Sequence, residues 1–273
     1  MKRLKTFILD WLPPPIIRAV TRFQNRAIQF EGDYTNWAEA AARCDGYDAA
    51  TILSKVLDAT LKVKRGEAAF ERDSVVFAEI EYAWPITASL MWAAAQNSGA
   101  LNVLDFGGAL GSSYFQNRAF LAALPSVRWS VVEQPHYVAA GRKYIQDESL
   151  RFYLSIDECC KENEPVVILL SSVLQYLPEL DEVIDAINRS TASVVIIDRT
   201  PFNHDDIDKI CIQNVPEHIY KASYPMRILS TSALLKKFHN WTVVAETSSP
   251  EGELVSNAGL KIAFGGMILG RHV

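Results

Sequence analysis

A glycine-rich stretch that follows an apolar run is the part of the sequence best suited to hold a ligand. The run ends at Asp105, and Gly107, Gly108 and Gly111 follow it. Glycine adopts positive φ angles without steric cost and lets backbone N–H groups approach a ligand with no Cβ in the way. A helix predicted to begin after Gly111 points its N-terminus at the same place. The stretch therefore predicts the binding site of a nucleotide-like molecule.

The spacing of these glycines distinguishes between two kinds of bound molecule. A dinucleotide-binding loop needs Gly-x-Gly-x-x-Gly, but counting from Gly107 puts Ala109 and Ser112 at the second and third glycine positions. This weakens the interpretation as a nicotinamide-binding loop. Asp105 would also repel a pyrophosphate, whereas it suits a molecule that carries an ammonium and a sulfonium group. S-adenosylmethionine is such a molecule, and it is the predicted cofactor.

His204 is the residue whose type best suits proton transfer. It lies just after the fifth predicted strand, where a loop reaches the edge of the sheet. An unperturbed imidazole titrates near neutral pH, and a positioned base of that kind contributes about 10²- to 10⁴-fold to a rate. His204 is therefore the candidate general base. The alternative is an exposed histidine that is merely solvated beside Asp205 and Asp206.

Several other kinds of site are not predicted. The five histidines include no His-x-x-x-His pair, so no metal site is expected, and the Gly-x-Ser-x-Gly motif of serine hydrolases is absent. A net charge of -5 without a basic stripe argues against nucleic-acid binding. The four cysteines lack Cys-x-x-Cys spacing, which favours reduced thiols in a cytoplasmic protein.

The first hundred residues predict a helical leader. Asn36 and Glu39 form a capping-box pattern ahead of a short helix. Apolar residues at helical spacing within 52–61 predict a second helix, and Ile86 to Gln96 predict a third. Residues 1–99 are accordingly assigned to a helical N-terminal leader or cap.

From residue 100 onward, strands and helices alternate, which predicts a parallel sheet with helices on both faces. The predicted parallel strands are Asn102 to Phe106, Arg128 to Glu133, Arg151 to Ser155, Val166 to Ser171 and Ser193 to Asp198. Trp241 to Glu246 and Lys261 to Leu269 have no room for a helix between them, so they are expected to pair antiparallel. Residues 100–273 therefore form one Rossmann-like α/β domain, whose ligands are expected beyond the carboxyl ends of the strands.

The pattern over residues 100–273 resembles the class I S-adenosylmethionine-dependent methyltransferase fold, a mostly parallel seven-stranded sheet whose last strand runs antiparallel between the fifth and the sixth. The glycine loop is similar to the first motif of that family, Asp-x-Gly-x-Gly-x-Gly, with Asp105, Gly107 and Gly111 in register and Ala109 in place of the middle glycine. The resemblance implies S-adenosylmethionine as the cofactor and methyl transfer as the reaction.

The same resemblance implies roles for residues at the strand ends. Glu133 matches the acid that accepts hydrogen bonds from the ribose hydroxyls. Ser171 to Leu177 is similar to the motif after the fourth strand, which would put Gln175 and Tyr176 beside the transferred methyl group; a helix start with Tyr176 packed is the alternative. The complete set for the cofactor is Asp105, Phe106, Gly107, Gly108, Gly111, Glu133, Gln134, Ser155 and Ser171, and the set for the substrate is Gln175, Tyr176 and Tyr224.

Three short segments of the leader extend the resemblance over nearly the whole chain. Glu31 to Tyr34, Gly46 to Asp48 and Glu71 to Ser74 resemble uncharacterised methyltransferase-like proteins encoded beside bacterial surface-polysaccharide genes. This implies a small-molecule acceptor with a hydroxyl or amine, such as a sugar or a glycan precursor. The segment 211–225 is rich in Tyr, His and amides, and it either covers the acceptor or is a packed surface excursion. A nicotinamide-dependent oxidoreductase and a non-catalytic cofactor-binding protein of the same fold are the alternatives.

The N-terminus, Met1 to Arg26, is basic and contains three consecutive prolines. It is too short to span a bilayer, and no small-residue cleavage site follows its apolar stretch, so no secretory signal is predicted. Two interpretations remain open for this segment. It either contacts a membrane surface or a partner protein, or it is a solvated extension.

Overall fold

The computed structural model describes residues 28–44, 49–72, 74–216 and 222–272, so the basic N-terminus lies outside the described residues. The described helices are α1 (Trp37–Ala41), α2 (Ala49–Lys64), α3 (Trp84–Gln96), α4 (Ser112–Leu121), α5 (Pro135–Ala140), α6 (Ile156–Glu162), α7 (Leu180–Arg189) and α8 (Thr231–Lys237), with a π-helical turn at Gly141–Ile145 and a 3-10 turn at Leu174–Tyr176. The described strands are β1 (Gln29–Tyr34), β2 (Phe70–Arg72), β3 (Val75–Phe77), β4 (Ala100–Phe106), β5 (Ser126–Val132), β6 (Leu150–Tyr153), β7 (Val167–Ser171), β8 (Val194–Asn203), β9 (Lys209–Val215), β10 (Ala222–Ser230), β11 (Trp241–Val255) and β12 (Lys261–Arg271). Among these helices, none is long and apolar enough to cross a membrane.

Seven strands form the main sheet in the order β6-β5-β4-β7-β8-β12-β11. The first five are parallel to one another. The last strand in the chain, β12, runs antiparallel to both of its neighbours, β8 and β11. This strand order and these directions confirm the predicted fold class, including the antiparallel last strand between the fifth and the sixth.

The core lies on both faces of this sheet, because the central strand β7 is apolar from Val167 to Leu170. In β7, Leu169 packs in the cluster formed with α3 and α4, while its neighbour Leu170 packs in the cluster formed with α6 and α7. Both leucines are fully buried. A parallel strand covered on two faces needs this kind of continuous apolar run. The two layers of helices leave the carboxyl ends of the strands as the edge where side chains can meet a ligand.

We call this edge, at Phe106, Val132, Tyr153, Ser171 and Asp198, the carboxyl edge. Beyond it the structure departs from the predicted elements. β8 continues past Asp198, where its end was predicted, and runs to Asn203. Its extension pairs on one side with β12. On the other side, past the last residue that pairs with β7, it pairs with β10. Because β10 pairs with β9 and β9 with β1, an antiparallel sheet of three strands adjoins the carboxyl edge.

The leader contains the three predicted helices but is not wholly helical. Asn36 caps α1 by accepting a hydrogen bond from the Glu39 N–H at 2.9 Å, as the capping-box pattern predicts. The strand β1 and the hairpin β2–β3 were not predicted, because each is short and carries charged residues. β1 joins the sheet of residues 100–273 through β9, so leader and domain share a sheet. The division at residue 99 remains a prediction.

Candidate cofactor and acceptor site

The loop between β4 and α4 takes three residues into the left-handed region. Gly107 has φ 71°, Ala109 has φ 50° and Gly111 has φ 92°. The Gly107 N–H donates to the Val132 carbonyl at 2.9 Å, which ties the loop to β5. Ala109 carries a Cβ in a conformation that costs an L-residue about 1 to 2 kcal/mol. The tight turn therefore forms without the middle glycine of the motif, at the cost of local strain.

Gly107 needs both its positive φ and its missing side chain. A Cβ there would lie 2.5 Å from Val173 Cγ2. We expect Gly107→Ala to lower the free energy of unfolding by about 1 to 2 kcal/mol for the backbone strain and about 1 to 3 kcal/mol more for the overpacking. Gly66→Ala is the matched control, because Gly66 has φ 78° and no atom within 4 Å of the added Cβ. Urea denaturation should show a larger loss of unfolding free energy for Gly107→Ala than for Gly66→Ala. Equal losses would mean that contact with Val173 does not destabilise Gly107→Ala.

The buried side chain of Asp105 packs against this loop at Gly108. Its side chain is 1% exposed, and Trp129 Nε1 donates to its Oδ2 at 3.0 Å. A Cβ on Gly108 would lie 2.4 Å from the Asp105 carboxyl carbon, so the loop packs directly on the carboxyl group. Burial raises the pKa of Asp105 to about 7, the Trp129 hydrogen bond opposes the rise, and the charge of Glu133 adds to it. The carboxyl group faces the underside of the loop.

Glu133 reaches the same loop from the end of β5. Its carboxylate accepts hydrogen bonds from the Gln134 N–H at 2.7 Å and from the Ala109 N–H. Burial raises the pKa of Glu133, and these two backbone donors partly offset the rise. The structure thus brings together Glu133 and the glycine loop, as expected of residues that share one ligand. Gln134 itself is exposed at the start of α5.

A cleft of about 450 Å³ lies between the ends of β4 and β6, the start of α6 and the helix α7. Its lining residues are Phe106, Leu154, Ser155, Ile156, Asp157, Glu182, Val183, Asp185, Ala186 and Arg189. Two predicted cofactor residues, Phe106 and Ser155, therefore meet in one cleft. The Ser155 hydroxyl caps α6 by accepting a hydrogen bond from the Glu158 N–H at 3.0 Å.

The ends of β7 and β8 carry a polar cluster. Ser171 Oγ donates to Asp198 Oδ2 at 3.0 Å, and Arg199 Nε lies 3.5 Å from the same oxygen. Gln175 is buried and donates from Nε2 to Ser172 Oγ at 3.1 Å, while its Oε1 has no hydrogen-bond partner among the described residues. The structure thus groups Ser171 and Gln175 with Asp198, which sequence reasoning used only to mark the end of a strand.

A β-bulge orients Asp198. Gly265 pairs with Thr200 and Met267 pairs with Ile197, so Gly266 alone lies opposite two residues of β8, Asp198 and Arg199. Bulges of this kind redirect a side chain and are common next to active sites. Burial raises the pKa of Asp198, whereas Arg199 and Ser171 lower it.

Tyr176 and Tyr224, both predicted to bind substrate, contact each other. Their rings meet edge to face with centroids 5.2 Å apart. Gln213, which is buried in β9, accepts a hydrogen bond from Tyr176 Oη at 3.0 Å and donates to Tyr224 Oη at 3.2 Å. Sequence reasoning missed Gln213 because only the pairing of β9 with β10 places it beside Tyr224.

His204 is not part of either group. It is exposed in the turn after β8, and Asn203 lies five residue steps beyond Asp198, a distance of about 16 Å at the rise of an extended strand. Its role as a general base remains a prediction. Within the described ranges, no three His, Cys, Asp or Glu side chains are grouped so as to hold a metal ion.

Comparisons with known proteins find likeness at the level of structure only. No family model matches the sequence, and no curated protein matches it. The N-terminal domain of EvdMO1, crystallised with SAH bound, is 14% identical, with 84% of this chain and 98% of that chain covered and a TM-score of 0.49. An S-adenosylmethionine-dependent methyltransferase from Clostridium acetobutylicum is 12% identical, with 83% and 100% covered and a TM-score of 0.45. CalS10, an amino pentose methyltransferase from Micromonospora echinaspora, is 11% identical, with 69% and 90% covered and a TM-score of 0.44. The fold assignment rests on the strand order of this chain.

Proposed function

We propose that the protein transfers a methyl group from S-adenosylmethionine to a hydroxyl or amine of a small molecule. The observation that carries this proposal is the Glu133 carboxylate, which lies on the glycine loop at Ala109. An acid in that position can accept hydrogen bonds from two neighbouring ribose hydroxyls. When bound, the sulfonium supplies an electrophilic methyl group, and the protein's task is to align the acceptor and to take its proton.

The charges at the loop favour an adenosyl sulfonium compound over a dinucleotide. Glu133 faces the loop, and it forms no ion pair with Lys or Arg in the part of the chain that the structure describes. A pyrophosphate would add like charge beside this carboxylate, whereas a cation is attracted to it. The adjoining cleft has an apolar wall that includes Phe106 and Leu154 and its volume is in the range of small-molecule sites, which suits a purine.

The acceptor is expected to carry several hydroxyl groups. Side chains that can donate hydrogen bonds to hydroxyl groups or accept them lie close together at the ends of β7 and β8 and on the antiparallel sheet that adjoins them. They are Ser171, Gln175, Asp198, Tyr176 and Tyr224. This composition supports a sugar or a glycan precursor. Asp198 lies at the carboxyl edge and His204 does not, so Asp198 is the better-placed residue to take the acceptor's proton. We propose that the reaction takes place in the cytoplasm. Contact with a membrane surface remains one of the two interpretations of the basic segment before residue 28.

Removing the Glu133 carboxylate should weaken cofactor binding. Hydrogen bonds to a charged acceptor contribute about 1.5 to 3 kcal/mol, so Glu133→Ala is expected to raise the dissociation constant for S-adenosylhomocysteine about 10- to 150-fold. Isothermal titration calorimetry measures this directly. S-adenosylmethionine and NADH are titrated in parallel, because tight binding of NADH with no binding of either sulfur compound would reject the proposal.

The control is Glu148→Gln, an exposed acid in the turn before β6. It should leave the dissociation constant unchanged. Unchanged affinity in a folded Glu133→Ala protein would refute the ribose assignment. Binding of both sulfur compounds without transfer to a broad panel of sugars and amines would favour a non-catalytic cofactor-binding protein.

A further inference from the structure

A leader residue reaches the cofactor loop at the end opposite Glu133. Glu71 lies in β2 and is 1% exposed, and its Oε1 accepts a hydrogen bond from the hydroxyl of Ser112, the residue that follows Gly111. A carboxylate is almost never buried to this extent unless it is paired. Sequence analysis noted Glu71 only as part of a segment that resembles other proteins.

The leader is held to α4 at three points, which fixes where this carboxylate lies. Besides the bond between Ser112 and Glu71, Gln116 Nε2 donates to the Glu81 carbonyl, and Thr87 Oγ1 donates to Asn117 Oδ1 at 2.6 Å. All three bonds join residues before the first parallel strand to one helix. Glu71 is therefore positioned by packing, as a binding residue must be.

Asp105 does not lie where it could meet the ligand. The sequence predicts that its charge suits a ligand with an ammonium and a sulfonium group, but its carboxyl group is buried under Gly108 and bonded to Trp129. A ligand on the open side of the loop would be separated from it by the loop backbone. The negative charge that faces the far end of the loop comes instead from Glu71.

We propose that Glu71 binds the ammonium group at the amino-acid end of the cofactor. This inference rests on the proposed function, because it assumes an adenosyl amino acid in the loop. Glu133 at Ala109 would hold the ribose and Glu71 at Ser112 the ammonium, on the two sides of Leu110 and Gly111. Adenosyl and amino-acid groups extend in opposite directions from the sulfur, so acids at both ends of the loop match the shape of the molecule.

A purely structural role for Glu71 predicts something different. A carboxylate at the N-terminus of α4 also satisfies the helix dipole. In that case its loss would weaken the fold without distinguishing between ligands. The two roles therefore separate in a comparison of two ligands that differ only in the amino-acid end.

The test titrates S-adenosylhomocysteine and 5′-methylthioadenosine, which lacks the amino-acid group, into wild type and Glu71→Gln. The dissociation constant for S-adenosylhomocysteine is expected to rise about 10- to 100-fold, because a charge-assisted hydrogen bond is lost. The constant for 5′-methylthioadenosine should change less than about 2-fold. If Glu71→Gln weakened the binding of both ligands equally, or of neither, the assignment would be overturned.

Two further variants complete the design. Glu67→Gln is the matched control, an exposed acid in the turn before the same hairpin, and should leave both constants unchanged. Ser112→Ala removes the hydroxyl that donates to Glu71. It should therefore weaken the binding of S-adenosylhomocysteine selectively, by a smaller factor than Glu71→Gln does. If Glu71→Gln does not fold, Ser112→Ala is the variant that tests the proposal. If wild type binds neither adenosyl compound, the proposed function itself has failed, which is a different result from binding without selectivity.

Discussion

Asp105→Asn is expected to become more stable relative to wild type as the pH rises. The pKa of Asp105 is raised from 3.8 to about 7 by burial. Between those values the folded protein holds a proton that the unfolded chain has lost, so the free energy of unfolding of wild type falls as the pH increases. Asparagine does not titrate, and its Oδ1 can still accept the Trp129 hydrogen bond.

The size of the effect follows from the pH interval. The interval from pH 5 to the pKa of about 7 spans about two pH units. Each unit is worth about 1.36 kcal/mol, so the free energy of unfolding of wild type should fall by about 2 to 3 kcal/mol relative to that of the variant. Above pH 8 the difference should be constant. The change with pH does not depend on the cost of burying the asparagine N–H groups, since that cost is the same at every pH.

Urea denaturation at pH 5, 6, 7 and 8 measures this difference. Asp58→Asn is the control, because Asp58 is exposed on α2 and forms an ion pair with Lys62. Its difference from wild type should stay within about 0.5 kcal/mol at each pH. Parallel curves for wild type and Asp105→Asn would mean that Asp105 is ionised in the fold, and that the loop rests on a charged carboxylate.

The parallel sheet could be predicted because its signals are local. The run before Ser171 is apolar at each position, and a strand of that kind must be covered on both faces. The absence of a helix between Trp241 and Arg271 likewise determines that β11 and β12 are antiparallel. Glu133 could be singled out because its place at the end of a predicted strand resembles that of the family's ribose acid, and its role stays a prediction.

The rest of the site depends on contacts between distant segments. β1 pairs Phe30 with Gln213, and Glu71 meets Ser112, and neither pair has a signature within one segment. β8 was predicted to end at Asp198 because the charged pair there interrupts the apolar run. The bulge opposite Gly266 lets the strand pass this pair and continue. Long-range pairing and a bulge are both decided by the partner strand.

Backbone strain is concentrated where the proposed ligands would bind. Of the six non-glycine residues with positive φ in the described chain, three lie at the carboxyl edge: Ala109 after β4, Ser172 after β7 and Arg199 in the bulge of β8. Such residues persist only where the surroundings force them, and they cluster at functional sites. The same edge carries Glu133, Gln175 and Asp198, so strain and chemistry coincide there.

Gly266 is expected to be the least replaceable residue of the last strand. A Cβ on Gly266 would lie 2.3 Å from the Ile197 carbonyl oxygen and 3.1 Å from Asp198 Cα. Both are backbone atoms of β8, so neither can rotate away. Gly266→Ala must therefore move β12 away from the bulge, and we expect it to lower the free energy of unfolding by about 3 kcal/mol or more.

Gly270→Ala tests whether this loss comes from the bulge or from glycine in a strand. Gly270 lies in the same strand, but the nearest atom to its added Cβ is Val244 Cγ2 at 3.0 Å, on a side chain exposed at the edge of the sheet. A side chain can shift, so the loss there should stay below about 1.5 kcal/mol. Thermal unfolding of both variants measures the contrast. Equal destabilisation would mean that the loss comes from replacing a glycine of β12 in general and not from the bulge opposite Asp198.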